Sequence, residues 1–121
     1  MPVPTRPPPY GVVVLPPEGA GTFTRFEERA AAVAHADRMV PGHPGSRAWI
    51  IELGQGRVDI LGVRGAGTWD YNRVPHHRVA PAKGGVIEAF DSYEQAESQA
   101  GPGTILFTML PTGEVVFEER A

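Results

Sequence analysis

The sequence predicts an α+β fold: a duplicated strand–helix–strand–strand unit builds antiparallel sheet, two helices pack on one side of it, and a pseudo-two-fold relates the halves. Three observations lead there. Phe23-Thr24-Arg25-Phe26-Glu27 returns as Phe90-Asp91-Ser92-Tyr93-Glu94. Each copy sets an aromatic before a capping residue (Thr24, Asp91) and a glutamate three places after it. In that capping-box pattern the cap side chain takes an orphan N–H of the first turn and the glutamate reaches back. Two hairpin-like stretches also match at an offset of 57 residues, which sets Trp49 on Leu106, Ile50 on Phe107, Leu53 on Leu110, Gly56 on Gly113, Val58 on Val115 and Ile60 on Phe117. Finally, one such unit has a sheet with an apolar face and a single helix to cover it, so two units must bury each other.

The elements follow in chain order. Residues 1–9 hold Pro2, Pro4, Pro7, Pro8 and Pro9 and predict an extended, disordered arm. Residues 10–121 form one domain, with repeat 1 at 10–62, a connecting segment at 62–84 and repeat 2 at 85–121. Tyr10–Leu15 is a β-branched run bounded by proline and reads as a buried strand. A turn at 16–21 leads to a first helix over 25–39, with Phe26, Ala30, Val33 and Ala34 on its apolar stripe. Pro41-Gly42-His43-Pro44-Gly45 stops it. Strands at 48–53 and 57–61 are joined by Gly54-Gln55-Gly56, a three-residue hairpin loop. Segment 62–84 reads as irregular, with a short strand at 68–71. A strand at 86–90 opens the second half. The second helix covers 92–100 and turns Tyr93, Ala96 and Ala100 inward. Strands at 104–110 and 114–118 close the chain around Pro111-Thr112-Gly113.

Composition narrows the function. The chain of 121 residues has ordinary apolar content (41%), so it can bury a real interior, and it has no cysteine, so disulfides, thiolate metal sites and cysteine nucleophiles are excluded. No apolar run has the roughly 20 residues of a membrane span, and the N-terminus lacks the apolar core of a signal peptide, which predicts a soluble cytoplasmic protein. The net charge is −3. Residues 1–61 are balanced, 62–84 carry +3 and 85–121 carry −6. An acidic total argues against nucleic acid as the main partner.

The histidine pair His76-His77 follows Pro75, which favours extended backbone, where neighbouring side chains point to opposite faces. That geometry is poor for two ligands on one ion, so neither a metal nor a cofactor is implied. No Gly-x-Ser-x-Gly element or nucleotide-binding glycine loop occurs, and no nucleophile is marked out. What stands out is Trp69, Tyr71, Arg73, His76, His77 and Arg78, where aromatic and basic groups interleave in a segment of little secondary-structure signal. Aromatics and arginine make binding hot spots.

The reading that results is a small non-enzymatic binding or accessory protein that works by protein–protein contact through that segment. Homodimerisation by pairing of exposed sheet edges is compatible with it. The alternative is a nucleic-acid-contacting module in which bases stack on the rings of segment 64–83 and phosphates meet its arginines. A third reading is a small metal-dependent enzyme of paired-module fold, since the paired-module plan resembles that of vicinal-oxygen-chelate proteins. That resemblance implies metal ligands on module strands. Val12–Leu15 offers none, and Glu88 is the sole candidate in its counterpart.

Overall fold

The run Val12-Val13-Val14 is apolar on both sides of a strand, and such a strand is stable only where both faces of its sheet are covered. In the computed structural model, which describes residues 8–16, 21–42, 45–54, 57–65, 76–112 and 114–120, both are. The elements are β1 (Tyr10–Leu15), β2 (Gly21–Phe26), α1 (Arg29–Gly42), β3 (Arg47–Gly54), β4 (Arg57–Arg64), β5 (His77–Pro81), β6 (Gly85–Phe90), α2 (Tyr93–Gln99), β7 (Thr104–Met109) and β8 (Val115–Arg120). The strands form one antiparallel, eight-stranded sheet in the order β4-β3-β1-β2-β6-β5-β7-β8. It curls until the end strands β4 and β8 lie against each other, so the sheet is nearly a barrel. No helix among the described residues is long and apolar enough to cross a membrane.

Strand alternation sorts the apolar residues into an inner and an outer set. Val13, Leu15, Phe23, Trp49, Ile51, Ile87, Ile105 and Phe107 meet in the core enclosed by the sheet. Val12, Val14, Ala48 and Ile50 face outward beneath Ala32 and Ala36 of α1. Val79 and Leu106 lie beneath Ala96 and Ala100 at α2. Both helices are therefore on the outer face, and small alanines at their contacts let them approach the strands closely.

Several elements differ from the expectation. Thr24 does not cap a helix: Tyr10↔Phe26 through Val14↔Thr22 pair in an antiparallel ladder, so Gly21–Phe26 is a strand. Thr22-Phe23-Thr24 suits a pleated surface, and the core site for Phe23 outweighs one local capping box. α1 starts only at Arg29 and buries Ala32 and Ala36, not Ala30 and Ala34. At α2 the cap is Ser92, one place after Asp91, with extended backbone (φ −140°, ψ 156°) and its Oγ accepting from Gln95 N–H at 3.2 Å. Tyr93 is exposed, while Ala96 and Ala100 are buried as expected.

The stretch expected to be irregular at 62–84 contains the end of β4 and all of β5, which sits between β6 and β7. The short strand expected at 68–71 lies outside the described residues. The arm expected at 1–9 is tied down at its end: the Pro9 carbonyl accepts from Leu53 N–H at 2.8 Å, and residues 1–7 lie outside the description. The 57-residue offset also fails at the level of side chains. Trp49 is in the inner core and Leu106 is under α2. A one-residue change of register carries every side chain of a strand to the opposite face.

Substitutions at the α2 cap and at Gly11 test this arrangement. Ser92→Ala is expected to cost about 1 kcal/mol by loss of the α2 cap, with Thr24→Ala showing no cap effect, both read by urea unfolding. Gly11 has no room for a side chain, because an added Cβ would meet the Phe23 ring, 2.7 Å from Cζ. Gly11→Val is expected to destabilise by about 1–3 kcal/mol, partly restored in Gly11→Val/Phe23→Leu.

Candidate functional site

At one end of the sheet, the start of β1, the ends of β2, β3, β5 and β8, and the start of β4 surround a cleft of about 1000 Å³. Six charged residues line it: Arg25, Arg57 and Lys83 against Glu52, Asp59 and Glu119. Leu53 and Pro81 contribute apolar wall. Strands from both ends of the chain build the cleft, so it exists only once the sheet has curled.

Arg25 organises this end. Its Nε donates to the Pro8 carbonyl at 2.7 Å, Nη2 donates to the same oxygen, and Nη1 donates to the Ala82 carbonyl. The guanidinium also stacks over Phe23, with Cζ 5.9 Å from the ring centre. Arg25 thus ties the entering chain to the β5–β6 turn. Burial lowers its pKa from the ordinary guanidinium value, and the nearby Glu119 carboxylate opposes that shift. Each of the three Arg25 side-chain nitrogens donates to a carbonyl. Glu119 is left with an enclosed Oε2 that has no hydrogen-bond partner among the described residues. An enclosed carboxylate oxygen without a donor is costly, and it makes this wall of the cleft an acceptor for an N–H or a cation.

The residues singled out in the sequence separate. Trp69, Tyr71 and Arg73 lie outside the described residues. His76 and His77 are half-buried at the entry to β5, with ring centres 6.2 Å apart and planes at 74°. His77 meets Tyr93 of α2 edge-on at 5.9 Å. Arg78 is not on a surface at all: it is 1% exposed, on the inner side of β5. The alternation that carries Val79 outward under α2 carries Arg78 inward. Among the described residues no group of three His, Asp or Glu is placed to hold a metal ion.

The sequence reading missed the cleft because its six charges come from strands far apart in the chain. Sequence pattern places Arg25 at a helix start and counts Glu119 only toward the acidic charge of 85–121. One signal was available: Arg25 and Glu119 each fall on the same alternation as a core residue of their strand, Phe23 and Val115.

A scan against protein-family models, a search of curated proteins and a search of solved structures each return no match. The described residues form a mixed α/β protein with a nearly closed antiparallel sheet, two outer helices and a charged cleft at one end.

The histidines give a pH dependence with a definite sign. Burial lowers the pKa of His77, with His76 adding to the shift, and burial lowers that of His35, with Arg38 adding. The fold favours neutral rings, so the unfolded chain takes up protons first as pH falls. Their contribution is fully present above the unfolded value of about 6.5 and is lost as pH falls through the folded values. His77→Phe keeps a ring against Tyr93 and removes the titration. The fall in urea midpoint between pH 7 and 5 is expected to be smaller in that variant than in the parent chain.

Proposed function

We propose that this is a non-enzymatic binding protein that acts by contact with a protein partner, and that the partner presents a basic side chain to the cleft. The observation that carries this reading is the enclosed, donor-free Oε2 of Glu119 in a cleft lined by charges of both signs. A lysine or arginine from a partner supplies the missing donor, and a charge-assisted hydrogen bond in a partly desolvated site is the stronger kind. Arg57, Lys83, Glu52 and Asp59 around the rim then set orientation and partner choice more than affinity.

The runner-up, contact with nucleic acid through segment 64–83, loses support from Arg78. A side chain enclosed by the sheet does not reach a phosphate backbone, and the cleft brings no net positive charge. Trp69, Tyr71 and Arg73 keep their place in the proposal on chemistry alone, as anchors for the same partner. Pairing of free sheet edges into a homodimer is less favoured than the cleft, since β4 and β8 lie against each other.

The element order strand–strand–helix–strand–strand occurs in 10–64 and again in 77–120, and the strand order 4-3-1-2 continues as 6-5-7-8, its reverse in kind. This supports reading the halves as two copies of a five-element unit about a pseudo-two-fold axis, one strand longer than the unit expected from sequence. The alignment of the hairpins must then use an even offset, which keeps Trp49 with Ile105 or Phe107 on the inner face.

The test is an array of short peptides of varied charge probed with the full chain and with Glu119→Gln. Retention of lysine- and arginine-containing peptides is expected, weakened about tenfold or more by Glu119→Gln. Equal retention by both chains rejects the cleft. Retention of a single-stranded oligonucleotide that falls steeply with salt and disappears in Arg73→Glu supports the runner-up in its place.

A further inference from the structure

Arg78 is the largest of the fully buried side chains, and its Nε and Nη1 are enclosed without a hydrogen-bond partner among the described residues. Its cross-strand neighbours are Ala89 on β6 and Phe107 on β7, and the next inward position on its own strand is Ala80. None of these is a hydrogen-bond acceptor through its side chain. A guanidinium stays charged in a protein, and a buried charge without a partner is among the costliest features a fold can carry. The ladder bonds of β5 explain the strand but not why arginine occupies this position, where the matching site on β1 has the small Gly11 against Phe23.

From this geometry we infer that Arg78 is an anion subsite inside the sheet, and that its ligand is a monocarboxylate with a small apolar body. The planar guanidinium offers the paired N–H donors that fit a carboxylate edge. One positive charge matches one carboxylate, whereas a phosphate dianion would leave a net negative charge in an apolar setting. Phe107 and Met109 supply the apolar surroundings. On the β6 side Ala89, directly across from Arg78, is exposed. This site is separate from the Glu119 cleft, whose lining does not include Arg78.

The experiment titrates the full chain with sodium benzoate at constant ionic strength, balanced with sodium chloride, and follows the arginine Nε–H signals by NMR. One Nε–H signal is expected to shift saturably, to be the one missing from Arg78→Lys, and to stay in place when inorganic phosphate replaces benzoate. Benzoate is expected to raise the thermal midpoint of the parent chain and of Glu119→Gln, and to leave those of Arg78→Lys and Arg78→Met unchanged. The inference is overturned if no arginine signal moves at tens of millimolar benzoate, or if the midpoint rise persists in Arg78→Lys. A saturable shift with phosphate overturns the carboxylate assignment. Should Arg78→Met not fold, the parent titration and Arg78→Lys decide the matter alone.

Discussion

The enclosed apolar face of the sheet is the constraint on which everything else rests. Neither half can dry it alone. β1 to β4 contribute Val13, Leu15, Phe23, Trp49 and Ile51, and β5 to β8 contribute Ala80, Ile87, Ile105, Phe107 and Met109. Each fully buried chain of this size stabilises by about 1.5–3 kcal/mol, but only if the opposite wall is present. Among the described residues, direct strand pairing between the halves is confined to three pairs, Gly21↔Ile87, Thr22↔Val86 and Phe23↔Gly85. Gly21 belongs at that junction because a Cβ there would meet the Val14 carbonyl at 2.7 Å and Leu15 Cδ2 at 2.5 Å. A three-pair seam holds the sheet together, and the shared interior makes the seam worth forming.

Curling of the sheet also explains where polar groups end up. The cleft at the Arg25 end is the place where the inner face runs out and the alternation of β2 and β8 delivers Arg25 and Glu119 in place of apolar residues. Arg25 is satisfied by backbone carbonyls and acts as a strap across β2, the entering chain and the β5–β6 turn. Glu119 is not satisfied in the same way: its Oε2 is enclosed without a hydrogen-bond partner among the described residues. Arg78 carries the same logic further inside. It takes an inward position with only apolar neighbours directly across its ladders, so packing alone does not account for its charge.

The outer face shows a different economy. α1 and α2 present alanines to the strands, and the helices therefore lie low on the sheet and leave larger residues at their margins. His35 on α1 packs on Phe26, with ring centres 5.0 Å apart, and His77 packs on Tyr93 of α2. Each ring is half-buried, which is what ties the stability of these contacts to imidazole ionisation.

Much of the secondary structure was legible from local pattern. The β-branched run at Tyr10–Leu15, the hairpin strands of β3 with β4 and β7 with β8, and the alanine face of α2 all follow from periodicity and turn residues. The mixed α/β class follows from them. Local pattern went astray where two signals competed in one stretch. Phe23 to Glu27 carries a capping box, while Thr22-Phe23-Thr24 has the β-branched and aromatic residues of a strand, and only the neighbouring β1 decided between them. β5 was hidden because His77-Arg78-Val79-Ala80-Pro81 lacks the apolar alternation of a half-buried strand, its inward arginine breaking the pattern.

The sequence by itself determined that this chain folds around an apolar interior with antiparallel strands and two helices, because those features depend on residues near one another in the chain. Which face each strand turns inward, the gathering of Arg25 and Glu119 at one cleft and the enclosure of Arg78 were decided only by the tertiary structure. The physical reason is that a side chain's face depends on cross-strand register, and register is set by partners dozens of residues away.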